Sequence, residues 1–340
     1  MLNPASGTIA YLQSASLIAS GLLFNPGQFI ATRVLPVMPV TARQGFYYRE
    51  TAGSMNNLVE TRRAPGSAFA RVGYAFSHST YATQPHGVEM PVPDEHMAEY
   101  NPQFGGSLTD RLTMVTMANI LRNYENIVSG QLFNATNYQS GSGTGFAAGN
   151  TWASSSGTPI DNVMRCIEEI RANHPGYEAK DFGVIVPSAR ARDAFKHPQL
   201  RTTIGASYTT PGQAPGNAPL PVIADALKTA FGVGEVLIPE GNYRSGGTES
   251  SPTNSANWRA DYVGVYLRAK FDASMGSFFS GLGVTLSWSE MAPAVGGGAL
   301  PVSVVRYREN AVKSEVLQVS SDLLPEYVNS NAFMLVTGVA

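Results

Sequence analysis

From Ser107 to Gln131 the chain runs without a proline, and without a glycine until Gly130. Leu108, Leu112, Val115, Leu121, Tyr124 and Val128 recur through it at helical spacing, which reads as one long helix. Ser107 stands where an amino-terminal cap belongs. Asp110, three residues on, approximates the acidic partner of a capping box and favours the positive end of the helix dipole. At ~1.5 Å per residue the helix is about 35 Å long, enough to organise whatever packs on it. The rest of the chain is therefore read by how it reaches this helix and how it leaves.

It is reached through two unlike stretches. Residues 1–44 have little periodicity and are broken at Pro4, Gly21, Pro26, Gly27, Pro36 and Pro39. They nevertheless carry Leu22, Leu23, Phe24, Phe29 and Ile30, which need burial against the rest of this chain or against a neighbour. From Gly45 to Tyr81 the texture is that of strand. Ala70, Val72, Tyr74 and Phe76 alternate with Arg71, Gly73 and Ala75, and the aromatic run Phe46-Tyr47-Tyr48-Arg49 is their natural partner. Pro65-Gly66 marks a turn between them. A two-stranded ribbon of this kind is only marginally stable alone in water, so it is expected to lie across an adjacent subunit. Arg62, Arg63 and Arg71 form its one compact basic cluster. Pro91, Pro93 and Asp94 punctuate the exit.

Beyond the long helix the Ser/Gly tract Ser140–Gly157 reads as a linker or surface loop. Helices and short apolar strands then alternate. Pro159 to Arg171 and Val222 to Phe231 are helical in pattern, Phe182 to Val186 and Glu235 to Ile238 are strands, and the alternation argues an α/β lobe. Further strands are expected at 262–267, 283–288, 302–307 and 313–319, separated by turns such as Gly296-Gly297-Gly298.

Charged residues make up 14% of the chain, against roughly 25% in an ordinary soluble domain, which suggests a surface largely covered by other subunits. The plainer alternative is a Gly/Ser-rich monomer with long loops. Net charge is −2, so nothing global argues for nucleic-acid binding. The first 49 residues, however, carry Arg33, Arg43 and Arg49 and no acid, which suits an arm near nucleic acid or one paired with acidic neighbours. Cys166, the only cysteine, sits with Val163, Ile167 and Ile170 on an apolar helix face and reads as a buried structural thiol. Gly143-Thr-Gly145-Phe-Ala-Ala148 follows a helix inside the Ser/Gly tract, so it lacks the strand-to-helix context of a dinucleotide site. The five histidines are scattered without the paired spacing of a zinc site. No catalytic set, cofactor or metal is expected. Ile9 to Phe24 is broken by Ser14, Ser16 and Ser20 and has no basic residue ahead of it, so neither secretion nor a membrane is expected, and the chain is placed in the cytoplasm of the cell that makes it.

Arm, ribbon, long helix, α/β lobe and returning carboxyl-terminal strands, in that order, resemble the major capsid protein of tailed bacteriophages. The resemblance covers nearly the whole chain and implies an α+β fold of the Hong Kong 97 type. On that pattern residues 1–44 are the amino-terminal arm, 45–88 the extended loop, 89–155 the peripheral domain with its spine helix, 156–274 the axial domain and 275–340 strands returning to the peripheral domain. The implied function is non-enzymatic: self-assembly into hexamers and pentamers of an icosahedral virion shell around double-stranded DNA, with portal, scaffolding and decoration proteins as further partners. It also implies that the loop arginines dock on a neighbour's spine region, where Asp94, Glu95, Glu99 and Asp110 are the acceptors. Phe24 and Phe29 are candidate subunit contacts, and Arg33 and Arg43 candidate DNA contacts. Some members of the family lock their shells with an isopeptide bond from a lysine on this loop. Here the loop's cations are all arginines. The alternatives are an encapsulin-type nanocompartment and, in another class, an extracellular β-rich adhesin or hydrolase.

Overall fold

The structure, a computed structural model, describes residues 29–50, 59–63, 65–66, 68–69, 71, 76–104, 108–138, 145–204, 218–248, 251–269, 281–290 and 300–340. After Phe29 and Ile30 come helix α1 (Ala31–Val34) and strand β1 (Val37–Val40). Strands β2 (Gln44–Glu50) and β3 (Phe76–Ala82) pair antiparallel as a separate two-stranded ribbon, from Gln44 opposite Ala82 to Glu50 opposite Phe76. Of the alternating run expected at 70–76, Ala70, Val72 and Tyr74 lie outside the described residues, and β3 begins where that run ends. Strand β4 (Gln84–Pro93) leads into helix α2 (Asp94–Phe104). The long helix is α3 (Leu108–Leu132), one residue offset from the expected span, with Ser107 outside the described residues. Helix α4 (Ala135–Tyr138) and strand β5 (Gly145–Ala147) close the first half.

The second half runs through α5 (Pro159–Asn173), β6 (Phe182–Ile185), α6 (Ser188–Lys196), α7 (Pro198–Ile204) and α8 (Leu220–Phe231). Strand β7 (Glu235–Leu237) follows, then the polar hairpin β8 (Asn242–Gly247) and β9 (Pro252–Ala256), and β10 (Tyr262–Leu267). The chain closes with β11 (Val284–Trp288), β12 (Ser303–Glu309), β13 (Ser314–Glu326) and β14 (Phe333–Thr337).

Strand β13 is the hub of the first sheet. It pairs antiparallel with β12, β4 and β11, and β1 adds to β11 in parallel, so the arm supplies a strand to this sheet. Pro85, Pro91 and Pro93 all fall within β4. They share one parity along β4, which pairs with β13 alone among the described residues, so their missing N–H groups all fall on one side of the strand, as an edge position allows. The prolines expected to punctuate the exit from the ribbon therefore mark an edge strand.

The second sheet has the order β5-β14-β10-β6-β7. Its alternate residues serve two cores. Val184, Val263, Val265, Met334 and Val336 face a core with Val163, Cys166, Ile167 and Ile170 of α5 and Ile223 and Leu227 of α8. Ile185, Tyr266, Phe333 and Leu335 join Met117, Ile120, Leu121, Tyr124 and Val128 of α3, together with Phe29, Ile30, Val34 and Leu35 of the arm. A sheet covered on both faces accounts for the unbroken apolar runs of β6, β10 and β14. Close packing sets one glycine, since a Cβ on Gly183 would lie 2.4 Å from the Tyr266 ring. Strand β14 lies in this second sheet, paired with β10 and β5 and buried along its whole length. Strand β5, at the end of the stretch assigned to the peripheral domain, belongs to the second sheet too.

Candidate assembly surfaces

The start of the described arm is seated inside the chain's own core. Phe29 is 5% exposed, and Ile30, Ala31, Val34 and Leu35 are buried more deeply still. Glu125 of α3 takes hydrogen bonds from the main-chain nitrogens of Ile30 (3.0 Å) and Ala31 (2.9 Å), and the Trp258 indole donates to it at 2.5 Å. Burial pushes its carboxyl up to about 7, although the three donors pull the other way. Further along, the Thr285 hydroxyl donates to the Leu35 carbonyl at 3.1 Å and also meets the Tyr124 hydroxyl. Arg33 forms an ion pair with Glu235, which also receives the Tyr266 hydroxyl at 3.3 Å and faces Arg268 at 3.4 Å.

The ribbon is fastened at its root and open further out. Tyr47 donates to Glu326 at 2.6 Å, Arg43 faces the buried Asp322 at 3.5 Å, and Thr83 donates its main-chain N–H to the Arg43 carbonyl at 3.0 Å. At the root itself Phe46, next to Tyr47, is 63% exposed, and further out Phe69 is 75% exposed. Pro65 and Gly66 form the expected turn, with Gly66 at φ 84°, a conformation that favours glycine. Arg62, Arg63 and Arg71 are exposed, and the Arg63 guanidinium lies 4.0 Å from the centre of the Phe69 ring.

Of the four candidate acceptors, two are engaged within the chain. Asp94 is gripped by both arms of the Arg308 guanidinium at 2.9 and 2.5 Å, and Asp110 receives Arg306 at 3.0 Å. Glu95 and Glu99 are exposed and stand one turn apart on α2. Phe24 lies outside the described residues. Sequence reading passed over Arg306 and Arg308, whose signal is two cations at alternate positions of one strand. It also passed over Glu125, Glu235, Asp322 and Glu326, which as isolated acids give none. Among the described residues no group of His, Cys, Asp and Glu is placed to hold a metal, and no helix is long and apolar enough to cross a membrane.

No protein-family model matches the chain. A stretch of 158 residues is 25% identical to the major capsid protein of Pseudomonas phage JBD67 and spans 45% of this chain and 49% of that one. The match thus takes in about half the length of that relative. Among solved structures, a phage-related protein from Bordetella bronchiseptica RB50 superposes over 96% of both chains with a TM-score of 0.64 at 20% identity. The capsid of cyanophage P-SCSP1u covers 92% of this chain and 88% of its own, with a TM-score of 0.57 at 9% identity. The chain has the Hong Kong 97-type capsid fold. A virus-like particle from Pyrococcus furiosus also shares it, over 96% of this chain and 97% of that one, with a TM-score of 0.53 at 11% identity.

Proposed function

We propose that the chain is the major shell subunit of a tailed phage, assembling into hexamers and pentamers of an icosahedral virion around double-stranded DNA. The observation that carries this reading is the capsid fold, matched over 92% of the chain in the cyanophage shell. The ribbon supports it independently, because Phe46 and Phe69 stand in solvent on an element with too little mass to bury them. Obligate interfaces of such assemblies commonly exceed ~2,000 Å².

Within that shell the ribbon arginines Arg62, Arg63 and Arg71 dock on a neighbour's α2. Glu95 and Glu99 are the preferred acceptors, since Asp94 and Asp110 already hold Arg308 and Arg306. DNA contact by Arg33 and Arg43 would compete with Glu235 and Asp322. Portal, scaffolding and decoration proteins are the further partners that such a shell implies.

The Pyrococcus particle keeps a second reading in view, a shell with protein cargo. Negative-stain microscopy of the purified recombinant chain tests the main reading. Closed shells are expected, and a compact, stable monomer at micromolar concentration overturns it. Shells recovered from infected cells should hold nuclease-protected DNA, whereas a co-purifying enzyme would select the second reading.

A further inference from the structure

We propose that Glu125 is a charge-sensitive pin between the amino-terminal arm and helix α3, one whose burial without a counter-ion costs the fold stability once the carboxyl is ionised. The ground is geometric. The residue is 1% exposed, and its donors come from sequence-distant stretches, Ile30 and Ala31 lying 95 and 94 residues away and Trp258 lying 133 away. One carboxyl therefore ties the start of α1, the middle of α3 and the segment before β10 together. Phe133, just past the end of α3, packs edge-on against the same Trp258 ring at 4.9 Å.

Among the described residues no lysine, arginine or histidine reaches this carboxyl. Arg33 on α1 is occupied by Glu235, and Arg259, next to Trp258, pairs with Asp261 and lies over the Tyr262 ring. On α3 itself Tyr124 is bound to Thr285, while the second sheet offers Tyr266 and the acid Glu235. Burial also keeps Tyr124 and Tyr266 neutral. An ionised Glu125 is thus a buried negative charge held by dipoles alone, a costly arrangement.

The direction of the pH effect follows from linkage. The folded carboxyl sits at about 7, above its ordinary 4.5. Its contribution to stability is therefore fully present below about 4.5 and is lost as pH rises through about 7. Raising the pH, not lowering it, should therefore lower the stability of the fold that this carboxyl ties together.

The test is thermal melting of the full-length chain from about pH 5 to pH 9, with tryptophan emission followed in parallel. The Trp258 signal is isolated as the difference between wild type and Trp258→Phe. Wild type should lose melting temperature, and its Trp258 emission should shift, as pH passes about 7. Glu125→Gln keeps the size and one acceptor but cannot ionise, so both transitions should vanish. Trp258→Phe removes a donor that favours the ionised form, so its melting transition should move to higher pH. A wild type that is flat through neutrality overturns the proposal, as does a Glu125→Gln protein that falls in parallel with it. If Glu125→Gln fails to fold, the Trp258→Phe shift decides, and an unmoved transition is a refutation. None of this depends on the shell reading, because the pin lies within one chain.

Discussion

The Tyr47 hydroxyl donates to Glu326 at 2.6 Å across 279 residues, tying the root of the ribbon to the last residue of β13. Four residues earlier on the same strand, Asp322 faces Arg43. The two anchors lie on a strand that is itself the hub of the first sheet, so the direction in which the ribbon leaves the subunit is set by a rigid element. Tyr47→Phe removes one anchor without changing the shape. It should cost about 1–2 kcal/mol of subunit stability. Particle yield should fall further than that cost alone explains, because a ribbon released at its root samples many directions. Equal losses in melting and in assembly would show that the anchor only stabilises the fold.

Charge reversal separates the two classes of arginine. Arg62→Glu with Arg63→Glu should abolish or sharply reduce shell formation while circular dichroism stays unchanged, since an interfacial cation turned anion meets Glu95 and Glu99 as a repulsion. Arg308→Ala removes an exposed pair within one chain and should cost no more than about 1 kcal/mol. Unchanged particle yield in the double variant would mean that the turn is merely solvated.

Packing at the second sheet allows a sharper stability test. A Cβ on Gly183 would stand 2.4 Å from the Tyr266 ring, and that ring is fully buried beside Glu235. Gly183→Ala should destabilise the subunit by about 1–3 kcal/mol through overpacking, read as a lower melting temperature. A neutral substitution would show that the ring can swing aside.

What the sequence disclosed, and what it withheld, divides along physical lines. The long helix was legible because nothing breaks it before Gly130 and Leu121, Tyr124 and Val128 repeat at its period, but its buried face toward the start is made by Thr109, Thr113 and Thr116, while Val115 is exposed. The strands of the second sheet at β6, β7 and β10 were legible as apolar runs, but a run buried on both faces does not say which sheet it joins, and β14 was not among the expected strands. Pro91 and Pro93 read as a break because their tolerance depends on which side of β4 meets β13, a tertiary fact. Glu125 was invisible for a related reason. An acid between Tyr124 and Asn126 reads as solvent-facing, and only the fold brings Ile30, Ala31 and Trp258 to it.

The last expectation concerns a covalent chemistry that this chain lacks the means to perform on its ribbon. An isopeptide lock of the kind the resemblance brings to mind needs an amine on the extended loop, and arginine is too basic and too delocalised to attack as a nucleophile. The five lysines are Lys180, Lys196, Lys228, Lys270 and Lys313. None falls within residues 45–88. Lys180 pairs with Glu178 at 2.6 Å beside β6, Lys196 ends α6, Lys228 lies in the last turn of α8, and Lys313 sits in the tight turn before β13. Lys270 lies outside the described residues. A shell built from this subunit is therefore expected to hold by buried area and ion pairs alone, or with a separate decorating protein. Mature particles boiled in detergent should run as one band near 36.2 kDa. A ladder of covalent multimers would refute this, and mass spectrometry of the cross-linked peptides would then name the lysine and show that the ribbon is not the loop that carries the lock.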